Sequence, residues 1–283
     1  MPSPTQAQKA EILRSLHYGP KILVLPNAWD VASARIVEEL GYPAIATTSA
    51  GIAASLGYVD GQQIPRDEML EMVSRIAAAV RVPVTADFES GYGTTINDLA
   101  ESTKALVAAG AVGLNFEDIT GPNESDLVEI SAQIKKIQTI REVSKATFGV
   151  SLVVSARTDI YLAPIGPEAT RFDRTVERLR AYRQAGADCT FAPGVVDAET
   201  IARLVKAVDA PLNILVSKGA PSIPELQRMG VARVSTGSGL MRAALGCARR
   251  VAKEMAETGT YAAMLESPVP FGELMRILSR GNS

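Results

Sequence analysis

The sequence predicts a (β/α)8 barrel of the TIM type with a short C-terminal helical extension, and three observations carry that reading. First, one pattern recurs: an amphipathic helical stretch ends in glycine and a short apolar strand follows. It is plain in EELGYPAIATT (38–48), VAAGAVGLNFED (107–118), RQAGADCTFAPG (183–194) and QRMGVARVSTG (227–237). Second, the run behind each glycine is continuously apolar, as expected for a parallel strand covered on both faces. Third, apolar runs at 22–25, 82–86, 149–156 and 210–215 bring the strands to eight, alternating with helices over 283 residues. A barrel of this kind usually takes roughly 250 residues. A doubly wound open sheet is the alternative, but no G-x-G-x-x-G turn follows the first strand.

A first helix ends near His17, before Gly19 and Pro20. Pro65 opens a helix over 66–80 at a first-turn position, where its missing N–H is harmless. Thr94 can cap a helix over 96–109, Asp197 one that runs to 208, and Ser238 the helix after the last strand. The S-T-G-S-G run at 235–239 is also a place where many barrels bind phosphate, but no lysine accompanies it. No linker or change of composition divides the chain before about residue 259, so 1–258 form the barrel and 259–283 a hinge and helix. Pro268 and Pro270 stiffen the hinge, and Phe271, Leu274, Met275 and Leu278 share one stripe of the final helix. That helix can pack on its own barrel or on a neighbour's.

Bulk properties narrow the function. Twenty-nine basic and 31 acidic residues leave a net charge of −2 with no basic run, so no nucleic acid partner is expected. The N-terminus lacks the apolar core of a signal peptide, and no segment approaches about 18 uninterrupted apolar residues, so a soluble cytoplasmic protein without membrane contact is expected. Cys189 and Cys247 both lie in apolar surroundings and read as buried thiols. His17 is the only histidine, which excludes a three-histidine zinc site or a Ser-His-Asp triad within one chain. At a helix C-terminus its imidazole should be partly charged.

The chemistry-bearing residues gather where apolar strands end. The run A-D-F-E-S-G-Y-G (86–93) and the run N-F-E-D (115–118) each set acids at such an end. Asp87 and Glu89, two apart, project to one face, and Glu117 can join them from the next strand. Carboxylates this close repel unless a cation lies between them, and Mg²⁺ suits such a cluster. Asp60 can reach the metal through water or serve as a turn aspartate before Gly61. Asp118 points the other way and orients a neighbour. Thr48, Ser49 and Ala50 can form an anion-binding nest of backbone amides with added hydroxyls. Arg157 ends a long apolar run, needs a carboxylate partner and can pair with the acids or clamp a substrate carboxylate. Asn213 ends the seventh strand and can donate to a ligand. Trp29 either walls a pocket or packs as a core aromatic while Asp30 caps the next helix.

Five ordered motifs, P-N-A-W-D-V-A-S-A, T-S-A-G-I-A-A-S-L-G-Y-V-D, A-D-F-E-S-G-Y-G, N-F-E-D and S-A-R-T-D, resemble the isocitrate lyase/phosphoenolpyruvate mutase superfamily over nearly the whole chain. The resemblance implies a (β/α)8 barrel, Mg²⁺ (or Mn²⁺ in its place), a small 2-oxo acid ligand, and a homotetramer, a dimer of dimers, whose last helices are exchanged between paired subunits. By position it implies that Asp87 holds the metal most directly and that Asp60, Glu89 and Glu117 reach it mostly through water. Thr48, Ser49 and Ala50 match the loop that receives the substrate carboxylate, and Trp29 the pocket-side motif. Asn213 is a substrate-side donor, and Arg157, Glu117 and Thr48 lie at the reacting groups.

Three departures shape the expected reaction. Glu89 stands where the family usually has aspartate. The loop 119–126 reads I-T-G-P-N-E-S-D in place of the Lys-Lys-Cys-Gly-His loop of isocitrate and methylisocitrate lyases, which argues against those two reactions. Pro193 replaces a histidine of the phosphonomutases, although Asn123 and Ser125 offer polar side chains in a gating position. The leading expectation is a Mg²⁺-dependent lyase that cleaves a C–C bond of an oxaloacetate-like 2-oxo acid through an enolpyruvate. Phosphoenolpyruvate mutase or phosphonopyruvate hydrolase chemistry is the runner-up, and a non-catalytic barrel that binds a 2-oxo acid is the third reading.

Overall fold

Short parallel strands, each returned by a helix, close into a ring in this computed structural model, which describes residues 4–119 and 127–279. The expected gating residues Asn123 and Ser125 lie outside the described residues. The strands are β1 (Leu23–Leu25), β2 (Asn27–Ala28), β3 (Ile45–Thr47), β4 (Val84–Asp87), β5 (Gly113–Glu117), β6 (Val153–Arg157), β7 (Cys189–Phe191), β8 (Leu212–Leu215) and β9 (Arg233–Ser235). They form one sheet of nine in the order β1-β9-β8-β7-β6-β5-β4-β3-β2.

The count of nine against the eight expected has a simple cause. Strands β1 and β2 are two halves of one strand, broken at Pro26, which has no N–H to give to a ladder. The first half pairs with β9 and the second with β3, so the broken strand joins the two edges. Asn27 holds the join. Its Oδ1 accepts from the N–H groups of Thr236 at 2.8 Å and Gly237 at 2.9 Å, and its Nδ2 donates to the Thr47 carbonyl at 2.7 Å.

Inside the ring the lining is polar. Arg233, fully buried, donates from Nη2 to Asn115 Oδ1 at 3.0 Å. That bond runs between β9 and β5, which are not neighbours in the sheet, so it crosses the interior. Below it the helix Gln6–Leu16 closes the N-terminal end of the barrel. A side chain at Gly113 would lie 2.8 Å from Leu13 Cδ2 and 2.9 Å from the Val153 carbonyl, so only glycine lets this helix approach. Asp188 pins the helix, accepting from Arg14 and Arg141 at 2.8 Å each.

His17 sits against this floor. Its Nδ1 lies 2.8 Å from the Leu13 carbonyl, an acceptor, so Nδ1 carries the proton. Burial, with the nearby Arg233 charge, lowers its pKa to about 4. The partly charged imidazole expected from helix position is therefore replaced by a neutral one, because desolvation outweighs the helix dipole. The unfolded chain, with the ordinary His value near 6.5, binds the proton more readily than the folded one. Stability from His17 is fully present above about pH 6.5 and lost as pH falls toward 4. His17→Asn is expected to flatten that acid limb, shrinking the pH 7 to pH 4 difference in unfolding free energy by about 2–3 kcal/mol in denaturant titrations.

Other local expectations are corrected. The helix Ile96–Ala108 is capped by Thr95 in place of Thr94, because Thr95 and Asp98 form a reciprocal capping box. Thr94 only donates its hydroxyl to Asp98. Pro65 stands at the N-cap of Arg66–Ala79, one residue earlier than expected. Ser238 makes no side-chain cap bond. Gly149 ends the helix Ile130–Phe148 in the left-handed region, so strand β6 begins only at Val153. Cys189 is buried as expected, whereas Cys247 is exposed on the helix Gly239–Thr258.

The C-terminal segment splits in two. The last helix, Phe271–Ser279, docks on the chain's own helix Val31–Glu39, where Arg35 donates to the Ile277 carbonyl at 3.2 Å and Arg276 pairs with Glu39 at 2.5 Å. By contrast the helix Gly239–Thr258 buries only Met241. Leu245, Leu265 and Phe271 are left exposed, Phe271 by 76%. Among the described residues no helix is long and apolar enough to cross a membrane.

Candidate active site

The carboxyl ends of β4, β5 and β6 bring Asp87, Glu117 and Arg157 to one mouth of the barrel. Register sets the pairing, with Glu117 opposite Arg157 across β5 and β6. The Arg157 Nη1 donates to Glu117 Oε1 at 2.5 Å and its Nε to Asp159 Oδ1 at 2.8 Å. The guanidinium also lies 5.8 Å from the centre of the Phe191 ring. Burial alone would weaken the hold of Arg157 on its proton, but Glu117 and Asp159 outweigh it and raise its pKa above the ordinary value. Burial raises the pKa of Glu117 well above the ordinary carboxylate value, against the pull of Arg157 and with added repulsion from Asp159.

A cavity of about 340 Å³ opens here, lined by Asp60, Glu89, Glu117, Asp159 and Arg157. Four carboxylates thus face one guanidinium, an excess of negative charge that repels itself. The effect is visible at Asp60, whose pKa is raised by partial burial and by Asp87. Asp87 lies just outside that lining, next to Asp60, with the Ser49 hydroxyl 2.9 Å from Asp87 Oδ2 and 3.4 Å from Asp60 Oδ1. Its Oδ2 accepts from the backbone N–H of Ser49 at 3.0 Å and from the Ser49 hydroxyl at 2.9 Å. Its Oδ1 is buried with no hydrogen-bond partner, an unmet demand for a donor or a cation.

Of the three residues expected to form an anion-binding nest, Ser49 turns its N–H and hydroxyl to the chain's own Asp87, whereas the Thr48 N–H donates to the Ala28 carbonyl at 3.1 Å. These residues open the helix Ser49–Ser55, with Thr48 as N-cap accepting from the Gly51 N–H. Trp29 packs half-buried on the core, and its Cβ would lie 2.8 Å from any Cβ at Gly51. Asp30 caps the helix Val31–Glu39 through the Ser33 N–H at 2.7 Å, so the core-aromatic alternative is the one observed. Asn213 lies within β8 and not at its end. Fully buried, it donates to Ser235, the last residue of β9, at 3.0 Å, and its Oδ1 has no hydrogen-bond partner. Asp118 turns away as expected, accepting from Tyr182 at 2.7 Å and from the Asp159 N–H at 3.1 Å.

Glu89 differs most from expectation. Both of its oxygens are taken by protein donors, Oε1 by the Gln62 N–H at 2.7 Å and Oε2 by the Tyr92 hydroxyl. Burial pushes its carboxyl up to about 7. Among the described residues no group of three or more His, Cys, Asp and Glu side chains is placed to hold a metal ion directly. The donor set still fits Mg²⁺, which keeps most of its waters and needs only one or two carboxylates. Asp87 Oδ1 is free for it, and Asp60 and Glu117 stand near enough to the cavity to accept from its waters.

Sequence reasoning missed Asp159, Asn27 and Arg233. Asp159 had a signal, since it lies two residues from Arg157 in S-A-R-T-D and on the same face. Arg233, a charge inside the run V-A-R-V-S, had one too. Asn27 closes the barrel only because Pro26 breaks the strand.

A closed parallel barrel with acids and an arginine at the carboxyl ends of its strands is the architecture of an α/β-barrel enzyme. The family model described as "Phosphoenolpyruvate phosphomutase" matches residues 13–256, and the chain belongs to that family, within the phosphoenolpyruvate mutase/isocitrate lyase superfamily. A Burkholderia cenocepacia J2315 structure, provisionally described as a lyase/mutase, is 38% identical, covers 96% of each chain and superposes with a TM-score of 0.88. The 2-methylisocitrate lyase of Aeropyrum pernix is 28% identical over 90% of this chain and 82% of its own. The oxaloacetate decarboxylase of Pseudomonas fluorescens is 29% identical over 87% of this chain and 84% of its own.

Proposed function

We propose that this protein is a Mg²⁺-dependent lyase that cleaves a C–C bond of a small, oxaloacetate-like 2-oxo acid. The observation that carries the reading is the buried, unpartnered Oδ1 of Asp87 beside a cavity lined by Arg157 and four acids. Asp87 holds the ion directly, and Asp60 and Glu117 hold it through water; Mn²⁺ can take its place. When bound, the ion supplies Lewis-acid stabilisation of negative charge on the keto oxygen, a contribution of several kcal/mol. The other work belongs to the chain. Arg157 uses three contacts on Glu117 and Asp159 and keeps two N–H donors for the substrate carboxylate. Those two acids fix its plane, so it is oriented before the ligand arrives. The Thr48 hydroxyl, whose oxygen caps Gly51, still has its hydrogen to donate. Loss of CO2 leaves an enolate that water protonates at C3, so no cysteine or histidine is required. Trp29 and Asn213 are not among the residues that line this cavity, and their part in the reading is to pack and hold the strand ends around it.

The test is pyruvate release from oxaloacetate with Mg²⁺ and with a chelator. Chelator-sensitive release is expected, and its absence across oxaloacetate and its 3-substituted relatives removes the reading. A second reading, P–C bond chemistry, is favoured by the description of the matching family. Phosphorus NMR of phosphonopyruvate distinguishes it, and Pro193, buried in place of a phosphonomutase histidine, weighs against turnover there.

The exposed apolar side of 239–271 supports a further part of the reading, a homotetramer in which a second copy covers this helix. An apolar surface of that length is unusual on a monomer. Light scattering on the chromatographed protein should give about four times 30.0 kDa, with Leu245→Glu and Leu265→Glu lowering the mass. A monomer at 30.0 kDa would contradict it.

A further inference from the structure

Three non-glycine residues in the left-handed region, Gln62 (φ 56°), Glu89 (φ 49°) and Tyr92 (φ 53°), belong to a single hydrogen-bonded cluster. Side chains with a Cβ avoid this region, and where it persists the surroundings must enforce it. Here the enforcement is visible. Gln62 spans the turn after β4. Its backbone N–H meets Glu89 Oε1 at 2.7 Å, its Nε2 donates to the Ser90 hydroxyl at 2.6 Å, and its Oε1 accepts from the Tyr92 N–H at 2.9 Å. The Tyr92 hydroxyl donates to the second oxygen of Glu89. The Tyr92 ring packs on Phe88 with centroids 5.4 Å apart, and its carbonyl accepts from Ser102 at 3.2 Å. Two residues before Gln62 stands Asp60, and Asp60, Gln62, Glu89 and Ser90 all line the acid cavity.

We propose that Glu89, Tyr92 and Gln62 form a latch that holds the 58–63 loop, and with it Asp60, at the edge of the active-site cavity. Glu89 is then a positioning residue and not a holder of the metal's waters. The length of the glutamate side chain matters here through its reach. One methylene adds about 1.5 Å, which lets the carboxylate meet a backbone donor on one loop and a hydroxyl on another. An aspartate at position 89 falls short of both. The metal comparison below rests on the Mg²⁺ reading above, whereas the loop measurement does not.

The test uses the full-length protein with Glu89→Asp, Tyr92→Phe and Gln62→Ala. Amide hydrogen exchange is followed across 58–63, with β4 as the internal reference. Mg²⁺ binding is measured by calorimetry, and kcat and KM are measured for the 2-oxo acid that turns over. Glu89→Asp and Tyr92→Phe should speed exchange at Gln62 and its neighbours at least ~10-fold while β4 is unchanged. Gln62→Ala should do the same at the Tyr92 amide. Mg²⁺ affinity should stay within about threefold, and KM should rise more than kcat falls. Unchanged exchange over 58–63, with Mg²⁺ affinity down more than ~10-fold in Glu89→Asp, would overturn the latch and return Glu89 to the metal. If the wild type binds no Mg²⁺, the metal reading fails alone, and exchange over 58–63 still decides the latch.

Discussion

Asp87→Asn is expected to lower Mg²⁺-dependent turnover of the 2-oxo acid by roughly 10³-fold or more while leaving the fold intact. The two oxygens of Asp87 explain both halves of that result. Oδ2 is held by the Ser49 backbone and hydroxyl, and an asparagine oxygen can accept the same bonds. Oδ1 has no partner, so replacing it with an amide nitrogen breaks no hydrogen bond made by the chain. What is lost is one negative charge and one strong ligand. Because the Asp87 charge repels Asp60, Glu89 and Glu117, removing it also relieves repulsion, so thermal stability should hold or rise. Pyruvate release and a melting curve check the two halves together. Equal turnover in variant and wild type would remove Asp87 from the chemistry.

Arg157→Met should have the largest effect on stability. Glu117 and Asp159 are both buried and both lean on this guanidinium. Taking one member from a buried ion cluster typically costs about 3–5 kcal/mol, because the remaining charges stay desolvated without compensation. The pH dependence gives the effect a signature. With Arg157 gone, burial of Glu117 is no longer opposed, so its folded-state pKa rises further above the unfolded value. The folded chain then binds more protons than the unfolded one, and the stability of the variant should climb as pH falls from 8 toward 5, more steeply than that of the wild type. Arg157→Lys keeps the charge but cannot reach both acids with one planar group, and should fall between the two. Denaturant titrations at several pH values check this. A variant as stable as wild type at pH 8 would mean that the acids are compensated elsewhere.

The parts that were legible in the sequence share a physical reason. Glycine-ended helices and continuously apolar strands follow from parallel packing, and they revealed the barrel. Asp87, Glu117 and Arg157 were legible because a charge that terminates an apolar strand has to lie at the rim. Where placement differs from expectation there are also reasons. Asn213 is expected at the end of its strand, but the apolar run continues through Ile214 and Leu215, and register sets Asn213 opposite Arg233. Glu89 shares the strand-like spacing of Asp87, yet strand β4 ends at Asp87 and a left-handed Glu89 turns the carboxylate toward Gln62 and Tyr92. Cys247 sits in an apolar run on a helix that the barrel leaves uncovered. Each miss depends on a long-range contact or a backbone angle that local patterning does not encode.

On this reading an acid-rich barrel mouth, with Asp87 Oδ1 unpartnered beside it, takes up Mg²⁺ in order to bind a planar, enolate-like dianion. Calorimetric titration of oxalate, a mimic of the enolate, tests it most directly, with wild type and Asp87→Asn each measured with Mg²⁺ and with a chelator. Oxalate should bind the wild type only when Mg²⁺ is present, and Asp87→Asn under neither condition. Oxalate binding of equal strength with and without Mg²⁺, or in Asp87→Asn, would contradict the account.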